Sequence, residues 1–177
     1  MFCLGSMLTV FSACSSRQAI STGQAPKVYF DFLTNFSAAA IDPKPTRPAE
    51  EAGVRLFSFV RNHVRRQSFV TIANATARFA IPSIPAGAVL RGYLGMPFNL
   101  GDGALAELIL EEKETRCLLL SRHMDPAHQR GDRDWIPWVV DLSPYVGKTA
   151  TIIFSAKGTS GDLTGDWVGW AEPTISW

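Results

Sequence analysis

Residues 133–177 constrain the fold more strongly than any other part of the sequence. Two runs rich in β-branched and aromatic residues, 138–142 and 149–156, lie on either side of the linker Ser-Pro-Tyr-Val-Gly. Proline favours a turn in this linker, and Gly147 accepts the positive φ angle that such a turn requires. The second run largely alternates polar with apolar side chains, which is typical of a strand with one wet and one buried face. The stretch therefore predicts two strands joined by a corner, followed by a third aromatic segment.

The same stretch carries a recognisable pattern. Its residues are Trp135, Val139, Asp141, Leu142, Ser143, Tyr145, Gly147, Asp166, Trp167, Trp170, Pro173 and Ile175. The pattern resembles the C-terminal half of galactose-binding-like jelly rolls, and residues 81–96, with their Pro-x-Gly turn, are similar to a middle strand of that fold. The resemblance covers roughly residues 77–177 and implies an all-β fold, an antiparallel β-sandwich of the jelly-roll type. The superfamily includes many carbohydrate-binding modules, but also protein-binding and purely structural domains.

Shorter patterns upstream predict the remaining strands. They fall at 27–33, 54–60, 68–73, 76–81, 88–94, 105–111 and 115–122, with a turn at 61–66. In two segments a helix is an alternative to a strand. Residues 49–67 also have the apolar spacing of a helix, and residues 105–114 are rich in strong helix formers. The sandwich context favours strands in both. Residues 37–51 contain three prolines and predict a surface loop. The total of about eight or nine strands is typical of a sandwich or barrel.

The N-terminal residues predict export. Residues 1–13 are uncharged and mostly apolar, and they end in Phe-Ser-Ala before Cys14, as a secretory signal does. The order Phe-Ser-Ala-Cys resembles a bacterial lipobox, which implies acylation of Cys14 and a membrane anchor. A non-lipid signal peptide or a buried N-terminal segment stays open. Residues 14–26 predict a polar tether and 27–177 the sandwich. The expected location is the bacterial cell envelope, as a periplasmic or cell-surface lipoprotein.

Charge and motifs exclude several classes of function. The 17 basic and 16 acidic residues nearly cancel, so the sequence has no electrostatic footprint for nucleic acid. No nucleophile elbow, phosphate-binding glycine loop or His-Glu-x-x-His motif occurs. His123, Asp125 and His128 are metal-ligand types, but Pro126 interrupts any helix that would align them, and a solvated loop is predicted. Cys117, the only thiol of the mature chain, is expected to be a small buried hydrophobe. The sequence therefore predicts no enzyme.

Tryptophans supply the candidate ligand-binding groups. A sugar presents flat patches of C–H groups, and an aromatic face flanked by charged or amide groups meets its requirements. Trp135 follows a charged loop and is taken with Arg133 as one candidate pair. Trp167 with Asp166 is the other.

Two further tryptophans are expected in the core. Trp167 and Trp170 lie three positions apart, so they face opposite sides of a strand and at least one of them is predicted to be buried. Trp170 and Trp138 are the predicted core residues. For Trp135, burial in the core and exposure at the surface both stay open.

The acidic loop 161–166 offers oxygen ligands for Ca²⁺, a structural ion that the resembled family often holds. The candidate ligands are Asp162, Asp166 and Glu172, with Asp102 as a further donor from another loop. The loop lacks the dense Asp and Asn spacing of a dedicated calcium loop, so a plain turn is the favoured alternative. No cofactor is required by any motif.

These patterns together predict a non-catalytic binding module with a glycan as the leading ligand class. A structural or protein-interaction domain of the cell envelope is the first alternative; it predicts no exposed tryptophan and an apolar patch of several hundred Å² on one sheet face. A hydrolase with unrecognised carboxylates is the second. It predicts two acidic groups that face each other across a cleft, roughly 5 to 10 Å apart.

Overall fold

Eleven β-strands in two antiparallel sheets make up almost all the regular structure of the computed structural model, which describes residues 26–42, 53–159, 163 and 165–177. In chain order the strands are β1 (Val28–Asp31), β2 (Ala40–Asp42), β3 (Val54–Arg61), β4 (Val64–Ile72), β5 (Thr76–Ile81), β6 (Val89–Gly95), β7 (Ala104–Glu112), β8 (Thr115–Met124), β9 (Ile136–Asp141), β10 (Ala150–Gly158) and β11 (Trp167–Ser176). Short 3-10 turns lie at Phe36–Ala38, Arg130–Arg133 and Ser143–Tyr145, and the described residues contain no α-helix. The predicted all-β antiparallel sandwich is confirmed.

The last strand of the chain ties the first sheet together. That sheet has the strand order β3-β4-β11-β6-β9, and β1 pairs with the end of β11 that β4 leaves uncovered. The second sheet has the order β2-β5-β10-β7-β8. Because β11 pairs with strands from early and middle parts of the chain, this sheet is complete only when the C-terminal aromatic segment is in place.

The core between the sheets is built from aromatic rings packed edge to face. The ring centroids of Phe32 and Phe79 are 5.0 Å apart, and Phe154 lies 5.1 Å from Phe69 and 5.0 Å from Trp170. All five side chains are at most 1% exposed. Edge-to-face pairs of this kind stabilise by about 0.5–1.5 kcal/mol beyond their area burial. Burial of Trp170, and of Trp138 at 6% exposure, confirms the two predicted core tryptophans.

The segment with helical spacing forms a hairpin, and its turn is shorter than the predicted 61–66. Strand β3 runs to Arg61 and β4 begins at Val64, so Asn62 and His63 alone make the turn. Their φ angles are 42° and 65°. Two consecutive positive φ angles give a two-residue hairpin the twist that matches its flanking strands. The two arginines after Val64 therefore belong to a strand and not to a loop.

A short strand corrects the loop predicted for 37–51. Strand β2 pairs with β5 through Ala40 opposite Arg78 and Asp42 opposite Thr76. It precedes the three prolines, so its backbone N–H groups are available for pairing. The prolines fall in 43–52, outside the described residues.

Burial every second residue explains why the helix-prone segment 105–114 is a strand. Ala104, Ala106, Leu108 and Leu110 are at most 1% exposed, which is the period of a strand packed on a core. Strand β7 lies between β10 and β8, and this pairing outweighs the intrinsic helix propensity. The predicted hairpin with β8 is confirmed.

No helix in the described part of the chain is long and apolar enough to cross a membrane. The predicted signal peptide 1–13 and the tether up to residue 25 lie outside the described residues. Export and acylation of Cys14 therefore stay predictions.

Candidate functional site

The outer face of the first sheet, turned away from the core, collects the candidate residues. Cross-strand partners share a face, and the register places Arg55 opposite Val70 and Val70 opposite Gly169. Trp170 points into the core, so Trp167, three positions earlier, points outward. The prediction that these two tryptophans face opposite sides is confirmed.

Four aromatic side chains form a continuous row on this outer face. The ring centroids of Trp135 and Phe59 are 4.4 Å apart, those of Phe59 and Phe57 are 5.9 Å apart, and those of Phe57 and Trp167 are 6.4 Å apart. We call these four residues the aromatic row. Phe59 in its middle is 7% exposed, whereas the other three are partly exposed. Aromatic surface is therefore accessible to a ligand along the row.

Two glycines let the rings lie close to the sheet. Gly95 and Gly169 are direct cross-strand partners on β6 and β11. A Cβ atom on Gly95 would lie 2.8 Å from ring carbons of Trp135, and one on Gly169 would lie 2.6 Å from ring carbons of Phe59. The indole Nε1 of Trp135 also donates a 2.8 Å hydrogen bond to the carbonyl oxygen of Val64. The backbone of the sheet therefore supports the inner side of the Trp135 and Phe59 rings and fixes their position.

Arginines flank the aromatic row. The guanidinium of Arg55 lies 4.4 Å from the ring centroid of Trp167. The guanidinium of Arg66 lies 3.4 Å from the centroid of Tyr93 and donates to the Glu172 carboxylate at 2.7 Å. Cation–π contacts of this kind are attractive and hold the charged groups in fixed positions. The outer face therefore combines aromatic surface with oriented hydrogen-bond donors.

A cleft of 390 Å³ adjoins the Trp135 end of the row, and we call it the arginine cleft. It is lined by Val60, Arg61, Asn62, Asn99, Arg130, Arg133 and Asp134. A neighbouring depression of 260 Å³ is lined by Arg61, Asn62, Val64, Arg66, Asp134 and Trp135. Three residues, Arg61, Asn62 and Asp134, belong to both. The cleft and the aromatic row are therefore parts of one continuous surface.

Arg61 is the buried member of this cleft, at 7% exposure. Its Nη2 atom donates to Asn99 Oδ1 at 2.7 Å and to the Asp132 carbonyl oxygen at 3.4 Å. Burial lowers the pKa of Arg61 from its usual value, Asp134 opposes this shift and Arg133 adds to it. An arginine stays protonated at neutral pH even so, and the cleft therefore contains a largely desolvated positive charge.

The structure separates the predicted ligand residues into three positions. Trp135 and Trp167 are 32 positions apart in the sequence, and they form the two ends of the aromatic row. Arg133 lines the arginine cleft, where its Nε donates to the Pro126 carbonyl oxygen at 2.8 Å. Asp166 is fully buried at 0% exposure, just before β11. Its carboxylate is therefore not presented to a ligand on the outer face.

The predicted calcium ligands are not all close together. Asp166 and Glu172 lie six positions apart along an extended segment, a separation on the order of 20 Å at the rise of a β-strand. Glu172 is paired with Arg66 instead, and Asp162 lies outside the described residues. Among the residues that are described, no group of three or more His, Cys, Asp or Glu could hold a metal ion. A calcium site stays a prediction.

Two other reactive side chains, those of His128 and Cys117, have structural partners. His128 Nδ1 lies 3.0 Å from Asp125 Oδ1, and the His128 backbone N–H also donates to that oxygen at 3.2 Å. These contacts form a local turn after β8. The predicted solvated loop is only partly correct, because His123 lies in β8 and Asp125 is buried. Cys117 is half-buried and not fully buried as expected; its hydrogen bond with Tyr145 raises the pKa of that phenol.

Sequence reasoning missed two residues of the aromatic row. The sequence predicts a strand over Phe57 and Phe59 but no binding role for them, although Arg55, Phe57, Phe59 and Arg61 occupy every second position. A period of two places all four side chains on one face of a strand. This alternation of arginine and phenylalanine was the available signal for the site.

Comparison with known proteins gives few sequence relatives. No protein-family model matches the chain. An uncharacterized protein of Archaeoglobus fulgidus is 40% identical over 78 residues, which are 44% of this chain and 20% of that protein. The chain therefore spans about a fifth of the length of this relative.

Similar solved structures are carbohydrate-binding modules. TmCBM61 in complex with β-1,4-galactotriose has a TM-score of 0.52 at 14% identity, covering 84% of this chain and 97% of that one. CBM51 from Clostridium perfringens GH95 in complex with methyl-galactose has a TM-score of 0.50 at 10% identity, covering 68% and 80%. The CBM22-1-CBM22-2 tandem domain from Paenibacillus barcinonensis Xyn10C has a TM-score of 0.51 at 12% identity, covering 88% and 47%. The chain thus has the galactose-binding-like β-sandwich fold of these modules.

Proposed function

We propose that the chain is a non-catalytic glycan-binding module whose ligand lies along the aromatic row. The observation that carries this proposal is the meeting of Trp135 and Trp167 on one partly exposed face, joined by Phe57 and Phe59. Flat aromatic surface excludes water from the C–H patches of a sugar ring, and the flanking arginines donate hydrogen bonds to its oxygens. A row of several rings suits an extended chain of sugars better than a single monosaccharide.

One structural feature supports binding over catalysis, and a second supports glycan binding over protein interaction. The lining of the arginine cleft contains a single carboxylate among the described residues, that of Asp134. Glycoside hydrolysis generally uses a pair of carboxylates that face each other. The protein-interaction alternative requires a purely apolar patch. On the outer face, however, arginines lie beside the aromatic side chains, so the surface there is not purely apolar.

Affinity electrophoresis through gels that contain single polysaccharides tests the proposal. We expect retardation of the full chain by at least one glycan, and a loss of affinity of about tenfold or more in Trp135→Ala and in Trp167→Ala. Trp177→Ala is the matched control, since Trp177 is 42% exposed but contacts Tyr29 and Lys27, outside the row. Titration of the tryptophan fluorescence with a broad panel of glycans is a second assay. If no glycan retards the chain and none changes its fluorescence, the protein-interaction alternative is favoured.

We further propose that the module is exported and carries lipid on Cys14, in the cell envelope. The apolar segment 1–13, the small residues before Cys14 and the polar tether that follows support this. Labelling of expressing cells with a fatty-acid analogue tests it. Label should appear on the chain and disappear in Cys14→Ser; label that persists in the variant would rule out this anchor.

A further inference from the structure

Within the described residues, the arginine cleft contains a buried cation that forms no ion pair with a carboxylate. Arg61 is 7% exposed, and its two hydrogen bonds within the described residues go to an amide and to a backbone carbonyl. Its Nε atom is buried without a hydrogen-bond partner. Burying a charge without an opposite charge costs free energy, and this cost falls when an anion binds.

The exposed arginines of the cleft form no ion pair with any carboxylate in the described part of the chain either. Arg133 donates to the carbonyl oxygens of Pro126 and Ala127, at 2.8 and 3.0 Å. Arg130 forms no ion pair with any described residue. The guanidinium groups of both residues therefore keep their charge available at the cleft.

Four other arginines of the molecule are paired with carboxylates. Arg66 contacts Glu172, Arg78 and Arg116 contact Glu111, and Arg122 contacts Asp132. The chain as a whole has a formal net charge of only +1. The positive charge of the arginine cleft is therefore a local feature of this site and not a consequence of a basic composition.

We infer that the module takes an anionic glycan, with one sugar ring on Trp135 and the acidic group of a neighbouring sugar in the arginine cleft. This inference rests on the proposed function, because it uses the same aromatic row. Arg61, Asn62 and Asp134 line both the cleft and the depression beside Trp135, so a sugar chain that leaves the row enters the cleft directly.

Guanidinium groups match this ligand class. Their planar donors form paired hydrogen bonds with a carboxylate or a sulfate, and such charge-assisted bonds are stronger than those with hydroxyl groups. Asp134 lines the same cleft as Arg61, Arg130 and Arg133, so arginine outnumbers acid there. A neutral sugar makes hydrogen bonds in the cleft but adds no negative charge to that of Asp134, which already attracts Arg61. The acidic groups concerned are the carboxylate of a uronic acid or a sulfate ester.

Matched ligands test the inference without any change to the protein. Isothermal titration of the full chain compares an oligouronate with the same oligosaccharide after reduction of its carboxyl groups to alcohols. A second pair compares a sulfated oligosaccharide with its desulfated form. We expect at least one anionic ligand to bind about tenfold or more tightly than its neutral counterpart. This preference should decrease as the salt concentration rises. The pair that shows the preference identifies the acidic group.

Variants locate the preference in the cleft. Arg61→Gln removes the buried charge, but it alters a buried side chain, so circular dichroism must first show that it folds. Arg130→Gln changes an exposed side chain and should lower the anionic preference severalfold. Arg65→Gln is the matched control, because it removes the same charge from an exposed residue that lines neither the cleft nor the depression.

The outcomes separate the two proposals. Equal or tighter binding of the neutral partner in both pairs overturns the anionic specificity and leaves the glycan-binding function standing. A preference that Arg65→Gln lowers as much as Arg130→Gln overturns the assignment to the cleft. Failure of every glycan to bind, neutral or acidic, overturns both.

Discussion

Replacing Gly95 with alanine tests whether Trp135 lies flat on the sheet. The new Cβ would lie 2.8 Å from Cε3 and Cζ3 of Trp135, whereas carbon atoms in contact keep about 3.5–4.0 Å. The indole must therefore withdraw by about 1 Å. Overpacking of this kind costs about 1–3 kcal/mol, and a weakened Nε1 hydrogen bond to Val64 costs about 1 kcal/mol. We expect Gly95→Ala to lower the free energy of unfolding by about 2–4 kcal/mol.

Urea unfolding followed by far-ultraviolet circular dichroism measures this change without relying on tryptophan fluorescence. The midpoint of thermal unfolding should fall by about 4–16 °C for a chain of this size. Gly131→Ala is the matched control, since a Cβ there meets nothing within 4 Å. Its stability should stay within about 0.5 kcal/mol of the unsubstituted protein.

A double-mutant cycle isolates the contact with the indole. In a Trp135→Ala background the Cβ of Gly95→Ala has no ring to displace, and Arg61 Cγ at 3.5 Å is an ordinary neighbour. The second substitution should then cost less than about 0.5 kcal/mol. An equal cost of Gly95→Ala in both backgrounds, or no cost in either, would refute the placement of Trp135 over the glycine. Displacing the indole should also weaken glycan retention.

Two further substitutions probe the second sheet and a tight corner. A hydrogen bond from Arg116, together with Arg78, lowers the pKa of Glu111. This carboxylate therefore stabilises the fold above its unfolded pKa of about 4.3, and the stabilisation is lost as the pH falls through its folded pKa. In urea unfolding, Glu111→Gln should cost about 0.5–1 kcal/mol at pH 7 and nothing measurable at about pH 2. Gly103 has a φ of 92°, and a Cβ there would lie 2.2 Å from the Met124 carbonyl oxygen. Gly103→Ala should therefore cost about 3 kcal/mol or more, and a melting temperature equal to that of Gly131→Ala would contradict this geometry.

Local patterns were sufficient to predict most of the strands. The alternation over 149–156 and 76–81 reflects a single period of side-chain direction, which depends only on neighbouring residues. The turn was predicted at 61–66 and is limited to Asn62 and His63; its exact position was not evident because neither residue is glycine, although both take positive φ. Strand β2 escaped prediction because three residues at a sheet edge carry almost no periodic signal.

The candidate site was predictable in its residue types and less so in its membership. Trp135 and Trp167 were selected because aromatic residues beside charged ones suit a sugar. Asp166 was selected for the same proximity in sequence, yet it is buried, since a side chain's neighbours along the chain do not determine its accessibility. Arg61 was not selected, because its burial depends on contacts with Asn99 and Asp132, distant in sequence.

The amino-acid sequence by itself determined that this chain forms antiparallel strands with a buried aromatic core, because strand periodicity and turn chemistry act over a few residues. Only the tertiary structure decided which side chains share a surface. The insertion of β11 between β4 and β6 places Gly169 opposite Gly95, and these two positions without side chains allow Phe59 and Trp135 to lie against the sheet. Strand order and register are long-range contacts between segments far apart in the chain, and no local pattern specifies them.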